Sequence, residues 1–171
     1  CRKELGERLM HEANKFGIKL VVDGTNLDDL KDYRPGIKGL RENGVRSPFI
    51  ELGFEKSDIR AIALYAGLSI HDKPSNACLA SRIPRGSQVT YEKVGRIEKS
   101  EILVKSTFNV RQARVRDHGD IARIEVGREE LTRLFDVDKL AILDFKLKEL
   151  GFKFVTIDAV GYRTGSLVVI D

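Results

Sequence analysis

The stretch Ala113-Arg114-Val115-Arg116-Asp117-His118-Gly119-Asp120-Ile121-Ala122-Arg123-Ile124-Glu125-Val126 alternates small or branched apolar residues with charged ones on both sides of one glycine. A period of two marks a strand with two unlike faces, and Gly-Asp is turn chemistry. Two strands are therefore expected, Val110 to His118 and Asp120 to Val126, joined at Gly119. Ala113 and Val115 point one way, while Arg114, Arg116 and His118 point the other. On the next strand Arg123 and Glu125 oppose Ala122, Ile124 and Val126. If the apolar sides form the core, three guanidinium groups gather on one face. They repel unless an anion or Glu125 stands among them. That face is either a phosphate site or the solvated side of an antiparallel sheet.

Working outward, Thr90 to Phe108 reads as a helix with Val94, Ile97, Val104 and Phe108 on one side. At ~100° per residue Glu101 falls among them. A carboxylate there needs a partner or a cation, or it reaches out at the edge of the stripe. Downstream, Asp138 to Leu150 is a helix stopped by Gly151, and Phe152 to Asp158 is a strand. The order helix, strand, strand, helix, strand predicts a separate α+β domain over 88–171, with a mixed or antiparallel sheet.

Residues 1–87 read differently. Leu5, Leu9, Ala13 and Phe16 recur at helical spacing, and Gly17 ends that helix. Ile18 to Val22 is a short β-rich run that passes straight into Asp23-Gly24-Thr25-Asn26. Such a join is typical of the carboxyl edge of a parallel sheet, where α/β proteins bind ligands. Gly24 would let a ligand approach the backbone, and Thr25 and Asn26 could bond a phosphate or a base. The plain alternative is a turn with a helix N-cap. Asp28 to Arg46 is expected to be a polar loop with one short helix, and Ser57 to Ala66 a helix N-capped by Ser57. Leu68 to Ile70 is a further strand candidate. Asp72 to Gly86 is a long loop holding Cys78, with Lys73, Arg82 and Arg85 nearby. Positive neighbours favour a thiolate; a small buried apolar residue is the alternative for Cys78.

Thirty basic residues against 26 acidic leave +4, a milder excess than dedicated nucleic-acid binders show, so no nucleic-acid partner is expected. No apolar stretch approaches the ~20 residues of a membrane span. Two cysteines are too few for a disulfide scaffold or an iron–sulfur cluster, and the composition suits the cytoplasm. Three scattered histidines form no metal-ligand motif. The chain starts at Cys1, inside a helical pattern, and is expected to be the later part of a longer one.

Several ordered motifs resemble the LarE-like sulfur transferases of the PP-loop ATP pyrophosphatase superfamily. They are Val21-Val22-Asp23-Gly24-Thr25-Asn26, Asp32-Tyr33-Arg34-Pro35-Gly36, Arg46-Ser47-Pro48, Asp72-Lys73-Pro74-Ser75, and Cys78-Leu79-Ala80-Ser81-Arg82-Ile83-Pro84. Arg114 to Glu125 and Gly161-Tyr162-Arg163-Thr164-Gly165-Ser166 continue the likeness, which covers nearly the whole chain. The resemblance implies an α/β chain, with 1–87 the remainder of a PP-loop parallel-sheet domain and 88–171 a substrate-binding and oligomerisation domain. It also implies a homo-oligomer that uses ATP and Mg²⁺. ATP adenylates a carboxylate of a pyridinium mononucleotide, in the biosynthesis of a nickel-pincer cofactor. Cys78 then displaces AMP, and cleavage of its Cβ–S bond leaves a thiocarboxylate on the product and dehydroalanine on the protein. Gly24, Thr25, Asn26 and Arg34 are implied for the nucleotide and Arg82, Arg114 and Arg116 for the substrate phosphate; apart from the resemblance, if Glu101 and Glu125 meet, the two carboxylates are expected to take a hard cation such as Mg²⁺. Ser81 stands three after Cys78, where cluster-binding relatives carry further cysteines, which favours the sacrificial route. Arg85 stands where tyrosine is frequent.

The family's Ser-Gly-Gly-x-Asp-Ser phosphate loop is not in the sequence and would precede Cys1, so the chain as given is expected to be a poor catalyst. The competing readings are a tRNA thiolase or amidotransferase synthetase of the same superfamily, and a truncated nucleotide-binding module without activity.

Overall fold

The computed structural model describes residues 2–31, 36–74 and 76–163. The chain divides into two compact units, Cys1–Lys73 and Pro74–Asp171.

The first unit holds α1 (Arg2–Lys15), α2 (Gly36–Glu42), α3 (Pro48–Glu51) and α4 (Lys56–Tyr65); its small core of Ala13, Ile37, Leu40 and Val45 lies on α1, on α2 and just after α2, while α3 and α4 bury no residue. Asn43 ties α2 to α1 by donating its side-chain amide to the Gly39 and Lys3 carbonyls at 2.7 and 3.3 Å. The expected helix at Ser57 begins slightly earlier. Glu55 is the N-cap residue, and Asp58 accepts from its N–H at 2.8 Å. The expected parallel sheet is reduced, among the described residues, to a single parallel bridge between Val22 and Arg46. Ile18, Leu20 and Val22 lie about half exposed, so the β-rich run has little to pack on. Leu68 to Ile70 forms turns and not a strand.

The second unit follows its sequence pattern closely. Thr90 caps α5 (Tyr91–Phe108) by accepting from the Lys93 N–H at 3.2 Å. Asn109 ends it in the left-handed region at φ 52°. The strands β1 (Ala113–His118) and β2 (Ile121–Val126) pair antiparallel, with Arg114 opposite Glu125 and Arg116 opposite Arg123. A parallel partner needs a crossover, and α6 (Val137–Glu149) supplies it, capped by Asp136 through the Lys139 N–H at 3.1 Å. Gly151, at φ +96°, turns the chain into β3 (Phe154–Ile157), which lies parallel to β2. The sheet is therefore mixed, in the order β1-β2-β3. Its apolar residues Ala113, Val115, Ala122, Ile124 and Val126 meet Val104, Phe108, Leu143, Leu147 and Phe152 in one core.

The division falls between Lys73 and Pro74, and not where the composition changes near Ser87. The loop with Cys78 belongs to the second unit because Arg82 reaches Glu101 on α5 at 2.7 Å. Among the described residues no helix is long and apolar enough to cross a membrane.

Arg96 fastens this unit at one corner. It donates to both Asp117 carboxylate oxygens at 2.7 and 2.6 Å and to the Gly119 carbonyl at 2.9 Å, and it lies 4.3 Å from the centre of the Phe152 ring. Arg96→Ala leaves Asp117, only 2% exposed, without its counter-ion. It is expected to lower stability by about 3 kcal/mol, read as a lower midpoint in urea unfolding, with Arg96→Lys recovering part of the loss.

Candidate active site around Cys78

The arginine face of the hairpin is covered at Arg114 and Arg116, while Arg123 is half-buried and His118 is exposed. Arg114 and Arg116 are 3% and 5% exposed, which excludes a wet sheet face there. What covers this face is, in part, the chain just after Cys78, where Arg116 Nη1 donates to the Ser81 carbonyl at 3.0 Å.

Glu101 takes the place that helical spacing assigns to it. It is buried and has found partners. Its Oε1 accepts from Arg82 Nε at 2.7 Å and from the Val115 N–H at 3.2 Å, and its Oε2 accepts from Arg82 Nη2 at 3.2 Å. Arg114 Nη1 stands 3.9 Å from Oε2. One carboxylate thus joins α5, the Cys78 loop and β1. Glu125, fully buried, accepts from Arg116 Nε and Nη2 at 3.0 and 2.8 Å on one oxygen, and from Arg123 Nη2 at 3.0 Å on the other. Both carboxylates therefore serve as counter-ions to guanidinium groups. Neither fits Mg²⁺, since the oxygens a hard cation would take already accept hydrogen bonds from cations. Among the described residues no group of three or more His, Cys, Asp or Glu side chains is placed to hold a metal.

Arg82 is fully buried. With Nε and Nη2 on Glu101, its Nη1 faces back into the loop and donates to the Ala77 and Cys78 carbonyls at 2.9 and 3.0 Å and to Ser81 Oγ at 3.0 Å. It is thus turned into the protein, whereas the resemblance assigns it to a phosphate. Cys78, the N-cap residue of the 3-10 turn Leu79–Arg82, is a free, exposed thiol and not a buried apolar residue. Arg114 donates to the Ala113 carbonyl at 2.8 Å and lies 5.5 Å from the centre of the Tyr162 ring. Burial, and then the nearby charge of Arg82, pull its pKa below the usual guanidinium value, against the opposing pull of Glu101. A bound anion would oppose that fall.

Tyr162 and Ser81 had no signal in the residue pattern beyond the motifs they sit in. Gly161 brings Tyr162 there. It has φ +78°, and a Cβ on it would stand 2.8 Å from the Val126 carbonyl oxygen, so the close pass over the end of β2 needs glycine.

In the first unit the Asp23–Asn26 turn satisfies itself. Thr25 donates its backbone N–H and its hydroxyl to Asp23 at 3.1 and 2.6 Å. Asn26 accepts from the Asp28 N–H at 3.1 Å and caps the 3-10 turn Leu27–Leu30. This is the turn-with-cap alternative for those two side chains. Gly24 is open, with nothing within 4 Å of where a Cβ would stand. Arg34 lies outside the described residues.

No family model matches the chain. Over 167 residues, 98% of the chain, it is 40% identical to an uncharacterised protein of Synechocystis sp.. Over an equal span it is 34% identical to a protein of Lactiplantibacillus plantarum. That protein is a pyridinium-3,5-bisthiocarboxylic acid mononucleotide synthase. An uncharacterised protein of Methanocaldococcus jannaschii is 34% identical over 164 residues, 96% of the chain. The chain spans only 62%, 59% and 63% of the lengths of these three relatives.

The Arg82–Glu101 pair makes a thermodynamic test possible. Glu101→Gln leaves a buried guanidinium without its counter-charge and is expected to cost about 3–5 kcal/mol. Replacing both partners by leucine is expected to recover most of that loss. Urea unfolding of the two single variants and the double variant measures the coupling.

Proposed function

We propose that the chain carries the sulfur-donor and substrate-phosphate part of an ATP-dependent sulfur transferase that acts on a pyridinium mononucleotide. The observation that supports this best is the hydrogen-bonded path from the arginine face of β1 to the Cys78 loop: Arg116 holds Glu125 and, at 3.0 Å, the Ser81 carbonyl. The similarity to a synthase whose name contains two thiocarboxylic acid groups on a pyridinium mononucleotide agrees with it.

In this reading ATP converts a substrate carboxylate, a poor electrophile, into an acyl adenylate. The exposed thiol of Cys78, as thiolate, displaces AMP and forms a thioester. Loss of the Cys78 Cα proton and cleavage of Cβ–S then deliver the sulfur. Arg114 and Arg116, neighbours on one face of β1, receive the substrate phosphate. Arginine forks suit a phosphate, and a site already deficient in water adds to each bond. Arg82 holds the loop. Glu101 and Glu125 hold the arginines, and no step is assigned to a metal on them. For the nucleotide, Gly24 offers an open backbone edge, and Arg34 stays a candidate from the sequence.

Two experiments test the proposal. In a chain that also carries the phosphate loop, given ATP and the mononucleotide carboxylate, Cys78→Ala is expected to keep pyrophosphate release and to lose all thiolated product. The wild-type protein after turnover is expected to be lighter by the mass of one hydrogen sulfide. Sulfur transfer by the variant overturns the assignment of Cys78. Separately, Arg114→Ala and Arg116→Ala are each expected to weaken substrate or sulfate binding by roughly ten- to a hundredfold in titrations, with little change in ATP binding.

A further inference from the structure

The Cys78 carbonyl oxygen receives two N–H groups. Arg82 Nη1 donates to it at 3.0 Å and the Ser81 backbone N–H at 2.9 Å. The same Nη1 also donates to the Ala77 carbonyl at 2.9 Å and to Ser81 Oγ at 3.0 Å, so a cation polarises the amides on both sides of the Cys78 Cα. Arg82 is 0% exposed and is fixed in plane by its two bonds to Glu101. A loop clamp needs no charge. A buried guanidinium aimed at the carbonyl of an exposed cysteine is, in contrast, the arrangement that holds negative charge on that oxygen.

We infer that Arg82 is a catalytic residue of carbon–sulfur cleavage, forming with the Ser81 N–H an oxyanion hole on the Cys78 carbonyl oxygen. The inference rests on Cys78 as the sulfur donor and assigns the step that follows thioester formation. A base from solvent takes the Cys78 Cα proton. The electron pair left on Cα spreads onto the carbonyl oxygen as an enolate, which the two donors stabilise. The enolate collapses, the Cα–Cβ double bond forms, and the Cβ–S pair leaves with sulfur as the thiocarboxylate. Dehydroalanine remains at position 78. Without such donors an amide Cα–H is too weakly acidic to be lost readily at neutral pH, and preorganised donors at about 2.7–3.1 Å are the usual remedy. Burial of the guanidinium strengthens the effect, because water does not screen it.

The step can be followed without substrate or ATP. In a Cys1→Ser background, Cys78 is the one thiol of the chain. Arylation with fluorodinitrobenzene gives it a good leaving group. Mild alkali then releases dinitrothiophenolate, read by absorbance, and dehydroalanine, read by mass. Elimination from the folded wild type is expected to be about ten- to a hundredfold faster than from the same chain in denaturant. Arg82→Gln is expected to fall to the denatured rate, and Arg82→Lys, with a single point donor, to lie between. Circular dichroism establishes that each variant is folded; should Arg82→Gln not fold, Arg82→Lys and the folded-against-denatured comparison decide. A folded wild type no faster than the denatured chain overturns the inference, as does a folded Arg82→Lys eliminating at the wild-type rate. A chain carrying the phosphate loop that eliminates as expected yet transfers no sulfur to a mononucleotide overturns the proposed function and leaves the oxyanion hole standing.

Discussion

A carboxylate taken out of water is costly unless its charge and its lone pairs are all answered, and Glu101 is answered from three directions. Arg82 brings the loop, the Val115 N–H brings the strand, and Arg114 adds charge nearby. Because Glu101 sits in mid-helix on α5, it cannot move to suit the others. The loop and the strand must come to it. This one constraint explains why the segment after Lys73 packs with the second unit, and why the turn bearing Cys78 is ordered although its thiol is exposed.

Charge near this point is arranged in two linked sets. Arg82 with Glu101, and Arg116 and Arg123 with Glu125, each have a carboxylate between or beside the cations. Arg114 borders Glu101 only at 3.9 Å and lies beside the Tyr162 ring. Among the described side chains four guanidinium groups here, Arg82, Arg114, Arg116 and Arg123, meet three carboxylates, Glu101, Glu125 and Asp158. An isolated buried cation is unfavourable, while a set that exceeds its counter-ions by little is poised for a further anion. Precise placement by Glu101 and Glu125 also keeps the arginines from rearranging when that anion arrives.

The second unit was largely legible in the sequence because its signals are local. Helical spacing in α5 put Glu101 on the buried face, and alternation put Arg114, Arg116, Arg123 and Glu125 together. What alternation cannot supply is the layer above the sheet. Whether that face meets water or chain depends on a contact between residues far apart in sequence, Ser81 and Arg116. The partner of Arg82 escapes the sequence for a related reason: a basic residue near a cysteine suggests an anion, and nothing local reveals that a carboxylate on α5 meets it. In the first unit the β-rich run at Ile18–Val22 carried strand propensity, but a strand exists only with neighbours, and Arg46 offers a single bridge. Thr25 and Asn26 illustrate the same ambiguity, since the side chains that bind a ligand well also close a turn well.

Arg96 has a consequence for how the second unit opens. Its guanidinium binds Asp117 and the Gly119 carbonyl in the hairpin and rests on Phe152, which lies beyond α6. These contacts join a pairing that is local in sequence, the hairpin, to one that spans a whole helix, β2 with β3. One side chain bridging the two makes their local openings interdependent: the hairpin turn cannot fray without loosening the seat of Phe152, and the reverse holds too. Parallel pairing at a sheet edge is ordinarily the weak seam of such a fold. Here it is joined to the hairpin, so the unit is built to open as one cooperative body rather than peel from its last strand.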